Sequence, residues 1–320
     1  MNHSFDIVDL SKADDTQILK KVTAKGFHCS IVDVKNAGTC FRFLTALFAS
    51  QVGEVILTGS EAMKSRPIGD LVSALGELGA EIQYMENEGF PPLRIDGKKL
   101  TGGSVSIDAS KSSQYVSALL LIAPFMANGL KIEQLGEIKS ASYTQMTIEI
   151  LKQIGVEVNQ INNQIDVKPF SGSFNSTLTI EKDWSSASYW YEVIALMPAS
   201  SKVQLKGLSL ESIQGDSVVA ELFKQFGVIS FQGDTGIEIV KTMEVKDLCF
   251  DANFSSIPDM VQTFAVTLVG LGLNGKFTGI SHLIYKETNR IEALKIELEK
   301  LNYKLTLLDE DSFELEKAGE

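Results

Sequence analysis

The sequence is poor in the residues that most often carry recognisable chemistry. It has three cysteines (Cys29, Cys40, Cys249) and three histidines (His3, His28, His282). The cysteines are odd in number, far apart and form no CxxC pair. That excludes a disulfide scaffold and a cysteine zinc site, and it predicts reduced thiols in a cytoplasmic protein. So few histidines speak against a histidine-rich metal centre or a histidine-based triad. Basic residues are also scarce, 29 against 41 acidic, for a net charge of −12. A general binder of nucleic acid or of an anionic membrane carries the opposite balance, so neither is expected as a partner. Basic groups that serve a small anionic substrate must then be local. No long apolar run is present: the longest, around Val116 to Ala127, is broken by Pro124 and falls short of the roughly 20 residues that span a bilayer. The opening MNHSFDIVDL has neither the basic nor the apolar region of a signal peptide. There is no low-complexity linker and no block of like charge. What remains, 44% hydrophobic and 22% charged residues, describes a globular chain. At 320 residues it is long for one core and predicts two domains.

The chain repeats itself. LGELGAEIQYMENEGFPPLRIDG, LKQIGVEVNQINNQIDVKP, FKQFGVISFQGDTGIEIVK and LEKLNYKLTLLDEDSFELEK each read as a helix end, a turn residue and two strands. Gly79, Gly155, Gly227 and Asn302 stand where a left-handed helix end belongs. Helix starts at Gly38, Ser113, Ser186 and Ile257 keep step with them, as do the strand-ending glycines Gly59, Gly136, Gly207 and Gly279. Three markers share a period near 74 residues, and each unit reads strand, helix, strand, helix, strand, strand. That period exceeds most solenoid repeats. It fits compact α/β units packed around a shared core of helices. SSQYVSALLLIAP is apolar on nearly every side, which predicts burial on most faces.

Asn36, Ser112–Ser113, Ser185–Ser186 and Ser255–Ser256 fall at helix starts. Such residues cap helices, and the same N-termini bind phosphate. Either reading holds for one position alone; four in register favour anions. Arg66 precedes Pro67 in EAMKSRPIGDL, which places it at a positive helix end where a cation is unfavourable unless an anion joins it. In ISHLIYKETNRIEAL, Lys286 and Arg290 form a like-charged i,i+4 pair, read either as a solvated face balanced by Glu287 and Glu292 or as an anion site. Asp259 follows Pro258 at another helix start and reads as a first-turn acid.

NAGTCFRFL, MKSRPIGDLVSAL, SKSSQYVSALL, IKSASY, DWSSASYW, IPDM and IYKETNRIEAL occur in this order over the whole chain. Together they resemble the 5-enolpyruvylshikimate-3-phosphate synthase family. The sister family acting on UDP-N-acetylglucosamine fits less well, because it lacks SSQ and its usual loop cysteine cannot be placed here. The resemblance implies a two-domain inside-out α/β barrel of βαβαββ units, with residues 1–180 in the first domain and 181–320 in the second. It implies transfer of the enolpyruvyl group of phosphoenolpyruvate to the 5-hydroxyl of shikimate 3-phosphate, with release of phosphate, on the way to chorismate and aromatic amino acids. It implies no metal or organic cofactor and a monomer.

By resemblance, Ser112, Ser113 and Ser140 hold the shikimate phosphate, and Gln114 and Tyr143 line the two substrates. Asn36, Gly38 and Thr39 form the loop beside phosphoenolpyruvate, and Arg66 and Arg290 clamp its carboxylate and phosphate. Guanidinium forks suit such groups. Asp259 holds and deprotonates the 5-hydroxyl, Glu287 protonates the methylene carbon, and Lys286 is its cationic neighbour. The family has six repeats; little more than four are legible here, and its Lys-Ser…Asn-Arg segment, His-Arg pair and terminal-region lysine have no counterpart. His282 and Asn289 stand where the family usually has asparagine or serine and aspartate. Alternative readings are a partial homologue that binds phosphorylated ligands without turnover, a related enolpyruvyl transferase with another acceptor, or a non-catalytic repeat scaffold.

Overall fold

The computed structural model describes residues 6–25, 30–172 and 177–319; His3, His28 and Cys29 lie outside them. The chain divides into two compact units, residues 1–139 with 143–180, and residues 140–142 with 181–320. In order, β1 (Ile7–Val8), α1 (Asp14–Lys25), β2 (Ile31–Asp33), α2 (Gly38–Ala49), β3 (Gly53–Thr58), α3 (Glu61–Lys64), α4 (Gly69–Glu77), β4 (Glu81–Tyr84) and β5 (Leu93–Gly97) come first. They are followed by β6 (Gly103–Asp108), α5 (Ser113–Ile122), β7 (Leu130–Leu135), α6 (Ala141–Gln153), β8 (Val158–Ile161), β9 (Gln164–Val167) and β10 (Leu178–Thr179). The second unit continues with α7 (Trp184–Leu196), β11 (Lys202–Lys206), α8 (Val219–Leu222), β12 (Val228–Gly233), β13 (Gly236–Lys241), β14 (Phe250–Asn253), α9 (Val261–Leu271), β15 (Gly275–Thr278), α10 (Arg290–Glu299), β16 (Tyr303–Leu307) and β17 (Ser312–Lys317).

The repeat is visible as topology. Sheets ordered β2-β3-β5-β4, β6-β7-β9-β8 and β14-β15-β17-β16 share one pattern. A parallel first pair is joined through a buried helix, and two antiparallel strands complete the sheet. The third repeat departs from the expected strand-helix-strand-helix-strand-strand order. Its sheet has only β11-β13-β12, because the two-residue leading strand β10 pairs with β1 instead. Its second helix is reduced to one turn of α8 flanked by 3-10 turns.

The expected helix ends have the predicted conformation. Gly79, Gly155, Gly227 and Asn302 have φ of 94°, 92°, 74° and 63°, the left-handed region where glycine and asparagine are tolerated. The buried helices also behave as their composition requires. In α5 only two of the ten residues escape burial, and α9 buries Val261, Thr263, Phe264, Ala265, Thr267 and Leu268. The few polar groups in these helices are satisfied: Ser117 Oγ accepts from Thr147 Oγ1 at 2.9 Å, and Ser188 and Thr263 hydroxyls join α7 to α9 at 3.0 Å. The second core is strongly aromatic, with Phe277 and Phe313 stacked 4.5 Å apart across β15 and β17. Among the described cysteines, Cys40 is buried and Cys249 exposed, both as free thiols. Among the described residues, no helix is long and apolar enough to cross a membrane.

Two stability predictions follow from this packing. Gly155 has open space at its Cβ position apart from Phe170 at 3.6 Å, so Gly155→Ala tests φ alone; urea unfolding should show a loss of about 1–2 kcal/mol. Burial pushes the Glu192 carboxyl on α7 up to about 7. An acid raised in the folded state destabilises it once ionised, so stability falls as pH rises from about 4.5 towards 7. Glu192→Gln should therefore raise the melting temperature at pH 8 and give no gain at pH 4.

Candidate active site

In the first unit the chemistry gathers at the start of α2, the start of α5 and the loop between α3 and α4. Gly38 is the first residue of α2, and the Arg66 guanidinium occupies the space its side chain would fill. A Cβ there would lie 2.7 Å from Arg66 Cζ and 2.8 Å from Nη2. The sequence places Arg66 at a helix start; the structure corrects this. Pro67 stands before Ile68, the N-cap of α4, so Arg66 sits in the α3–α4 loop with its N–H donating to Met63 O at 3.0 Å. Asp15 on α1 feels its charge: burial and Asp14 raise that carboxyl, and Arg66 lowers it.

Thr39 follows Gly38, and its hydroxyl accepts from Gln114 Nε2 at 3.2 Å. Gln114 lies in the first turn of α5, where Ser112 caps the helix by accepting from Gln114 N–H at 3.2 Å. Ser113 is the first helical residue and is 6% exposed. The structure thus brings together Gly38, Thr39, Arg66 and Gln114, with Ser112 and Ser113 in the same turn. Of the four expected capping positions, only Ser112 caps its helix. Asn36 is in the turn before α2, whose N-cap is Ala37, and its Oδ1 accepts from the Ser60 hydroxyl. Asp183 rather than the Ser185–Ser186 pair caps α7. Ser255 N–H is taken by Asn253 Oδ1 at 2.8 Å, while the 3-10 turn Pro258–Met260 has no side-chain cap. Tyr143 is in the first turn of α6, half-buried. Ser140 belongs to the second unit; it is buried, has φ of 54°, and donates its N–H to Ser255 O at 2.7 Å.

Arg42 lies in the NAGTCFRFL segment, and its residue type alone gives it no role. It is 3% exposed and bonds to Gly38 O at 3.3 Å and Pro67 O at 2.7 Å, tying together the segments that carry Gly38 and Arg66. Burial lowers its guanidinium to about 10; Tyr115 opposes that shift and Arg66 adds to it. The one available signal was an arginine in the otherwise apolar run CFRFLTALFA.

In the second unit Asp259, Lys286, Glu287 and Arg290 meet. Asp259 lies in the 3-10 turn ahead of α9. Lys286 and Glu287 are in the loop after the 3-10 turn Ser281–Tyr285, and Arg290 is the first residue of α10. The expected helical i,i+4 pair is therefore corrected: Lys286 precedes the helix. Like charges are brought close because both bind one oxygen, with Arg290 Nη1 at 2.6 Å and Lys286 Nζ at 3.3 Å from Asp259 Oδ1. Arg290 also grips Glu287 Oε1 through Nε at 2.9 Å and Nη2 at 2.7 Å. A cation at a helix start opposes the macrodipole, and burial also disfavours it. Asp259 and Glu287 overcome both and hold Arg290 above the ordinary guanidinium range. Asn289 caps α10 by accepting from Glu292 N–H at 3.2 Å, a duty asparagine performs as well as aspartate.

Asp259, Glu287 and Arg290 border an open cleft of about 600 Å³ that also includes Ser185 and Tyr189. Ser185, one of the serines the sequence places at a helix start, donates its hydroxyl at 2.5 Å to the buried Asp216. His282 is buried in the preceding turn.

A family model described as EPSP synthase (3-phosphoshikimate 1-carboxyvinyltransferase) matches residues 7–319. The 3-phosphoshikimate 1-carboxyvinyltransferase of Bacteroides fragilis is 44% identical over 298 residues, 92% of this chain and 71% of that protein. That of Sulfurovum sp. is 38% identical over 272 residues, 84% of this chain and 62% of that protein. A solved EPSP synthase from Acinetobacter baumannii superposes with a TM-score of 0.73 at 20% identity, covering 99% of this chain and 76% of that one.

The Gly38 geometry yields a direct test. Gly38→Ala should fold normally, because the obstructing atoms are the far end of a flexible side chain. It should displace Arg66 and weaken binding of phosphoenolpyruvate about tenfold, the loss expected for one misaligned charged hydrogen bond. Calorimetric titration of both proteins reads the difference.

Proposed function

Since the chain belongs to the EPSP synthase (3-phosphoshikimate 1-carboxyvinyltransferase) family, we propose that it transfers the enolpyruvyl group of phosphoenolpyruvate to the 5-hydroxyl of shikimate 3-phosphate. The products are the enolpyruvyl ether and phosphate. The observation that carries the chemical reading is the second-unit network, in which two carboxylates, Asp259 and Glu287, share one guanidinium.

The reaction needs a base for the 5-hydroxyl proton and an acid for the methylene carbon. Asp259 takes the hydroxyl proton as the oxygen attacks C2 of phosphoenolpyruvate, and Glu287 delivers a proton to C3. The resulting tetrahedral adduct loses phosphate from C2 and a proton from C3, which restores the double bond. Lys286 and Arg290 oppose the accumulating negative charge. An entering phosphoenolpyruvate carboxylate competes for the Arg290 fork and loosens its hold on both acids. Each carboxylate is then released to meet the substrate, as base and proton carrier require.

By the family reading, Arg66, Gly38, Asn36, Thr39 and Gln114 also serve phosphoenolpyruvate. Ser112, Ser113, Ser140 and Tyr143 take shikimate 3-phosphate, with hydroxyls and helix N–H groups as donors. The reading carries with it residues 1–180 and 181–320 as domains and a monomeric, cytoplasmic protein.

Shikimate 3-phosphate at 100 times its Kd should stabilise the chain by about 2.7 kcal/mol in thermal melts; no shift would favour a scaffold. Glu287→Gln should bind shikimate 3-phosphate normally but fail to exchange the phosphoenolpyruvate methylene protons with solvent, followed by NMR. Normal exchange would remove Glu287 as the proton donor.

A further inference from the structure

Two donors converge on one backbone carbonyl in the first unit. The Tyr115 hydroxyl donates to Pro67 O at 2.7 Å, and Arg42 Nη2 donates to the same oxygen at 2.7 Å. Tyr115 is 1% exposed. A phenylalanine would fill that place without burying a polar atom, and a buried hydroxyl is costly unless paired. The carbonyl it pairs with is not in a strand or helix; it belongs to the residue directly after Arg66. On either side the backbone is also held, Arg66 N–H by Met63 O at 3.0 Å and Ile68 N–H by Gly89 O at 2.9 Å. Proline has no N–H, so its carbonyl is the only backbone hydrogen-bonding group left to anchor at Pro67.

An arginine clamp is only as well placed as the backbone that carries it, and small misplacements of a binding group are costly. The Arg66 guanidinium lies against Gly38 with no room for a side chain between them. Arg42 reaches both segments at once, through Gly38 O and Pro67 O. Tyr115 adds a second hold on the Arg66 side, from the helix turn that also sends Gln114 to Thr39. Burial raises the Tyr115 hydroxyl above the ordinary phenol range, so it remains a protonated donor wherever the protein is folded.

We propose that Tyr115, together with Arg42, is a positioning residue for the anion clamp: its hydroxyl fixes the Pro67 carbonyl and through it the approach of Arg66 to Gly38. The inference rests on the assignment of Arg66 to phosphoenolpyruvate.

The test titrates the full chain and its Tyr115→Phe variant separately with phosphoenolpyruvate and with shikimate 3-phosphate, alongside thermal melts. One lost hydrogen bond to a carbonyl that keeps Arg42 should weaken phosphoenolpyruvate binding about three- to tenfold and leave shikimate 3-phosphate binding unchanged. Arg42→Lys, which keeps the charge but cannot fork to both carbonyls, should move phosphoenolpyruvate affinity the same way. Unchanged phosphoenolpyruvate affinity in Tyr115→Phe overturns the positioning role. So does a parallel fall in both affinities with a lower melting temperature, which is the signature of a general packing defect. If the unaltered chain binds neither ligand, the proposed function itself falls and takes this inference with it.

Discussion

The constraint on which the rest depends is that the central helices turn a buried face to the cores, on nearly every side in α2 and α5 and on one side in α7, which leaves Tyr189, Trp190, Val193 and Leu196 exposed. The buried side chains form the two hydrophobic cores. A helix face enclosed in this way cannot present chemistry. Polar groups along such faces, such as Thr45, Ser117, Thr263 and Thr267, bond inside the unit. Chemistry is displaced to the first turns and to the loops beside them. Gly38, Ser113 and Asp259 all lie there, and Arg66 and Lys286 sit in the loops that connect to the outer helices.

Two arginines, one in each unit, are compensated in opposite ways. In the second, Arg290 is matched by two carboxylates, and their attraction exceeds the cost of burial. In the first, Arg42 is held mainly by neutral acceptors, the Gly38 and Pro67 carbonyls and the Met63 sulfur. Burial and the neighbouring Arg66 both work against its charge. The Arg290 site is already balanced by its carboxylates and must exchange partners to take a substrate anion. The Arg42 and Arg66 side gains electrostatically from any anion that enters. In a chain of net charge −12, such local excess cannot come from composition and has to be built by folding.

The periodic features were the legible ones. Gly79, Gly155, Gly227 and Asn302 could be read because left-handed helix ends restrict residue type, and the regular topology of three sheets followed from the same period. Less legible was where each helix begins. KETNR contains good helix formers, yet Asn289 caps the helix and leaves Lys286 and Glu287 outside it. Asn36 reads as a cap but bonds to Ser60 instead. Such outcomes turn on competition between local partners, which residue type alone does not rank.

What the sequence by itself determined is the repeat, the burial of its central helices and the residue types available at their ends. Those depend on hydrophobic periodicity and on backbone conformations that few residues tolerate, and both are local. Only the tertiary structure decided that Arg66 lies against Gly38, that Lys286 and Arg290 share Asp259, and that Tyr115 and Arg42 meet on Pro67 O. These are contacts between segments 25 to 48 residues apart. Packing sets them, because a side chain far along the chain finds its partner only after the helices between them are buried.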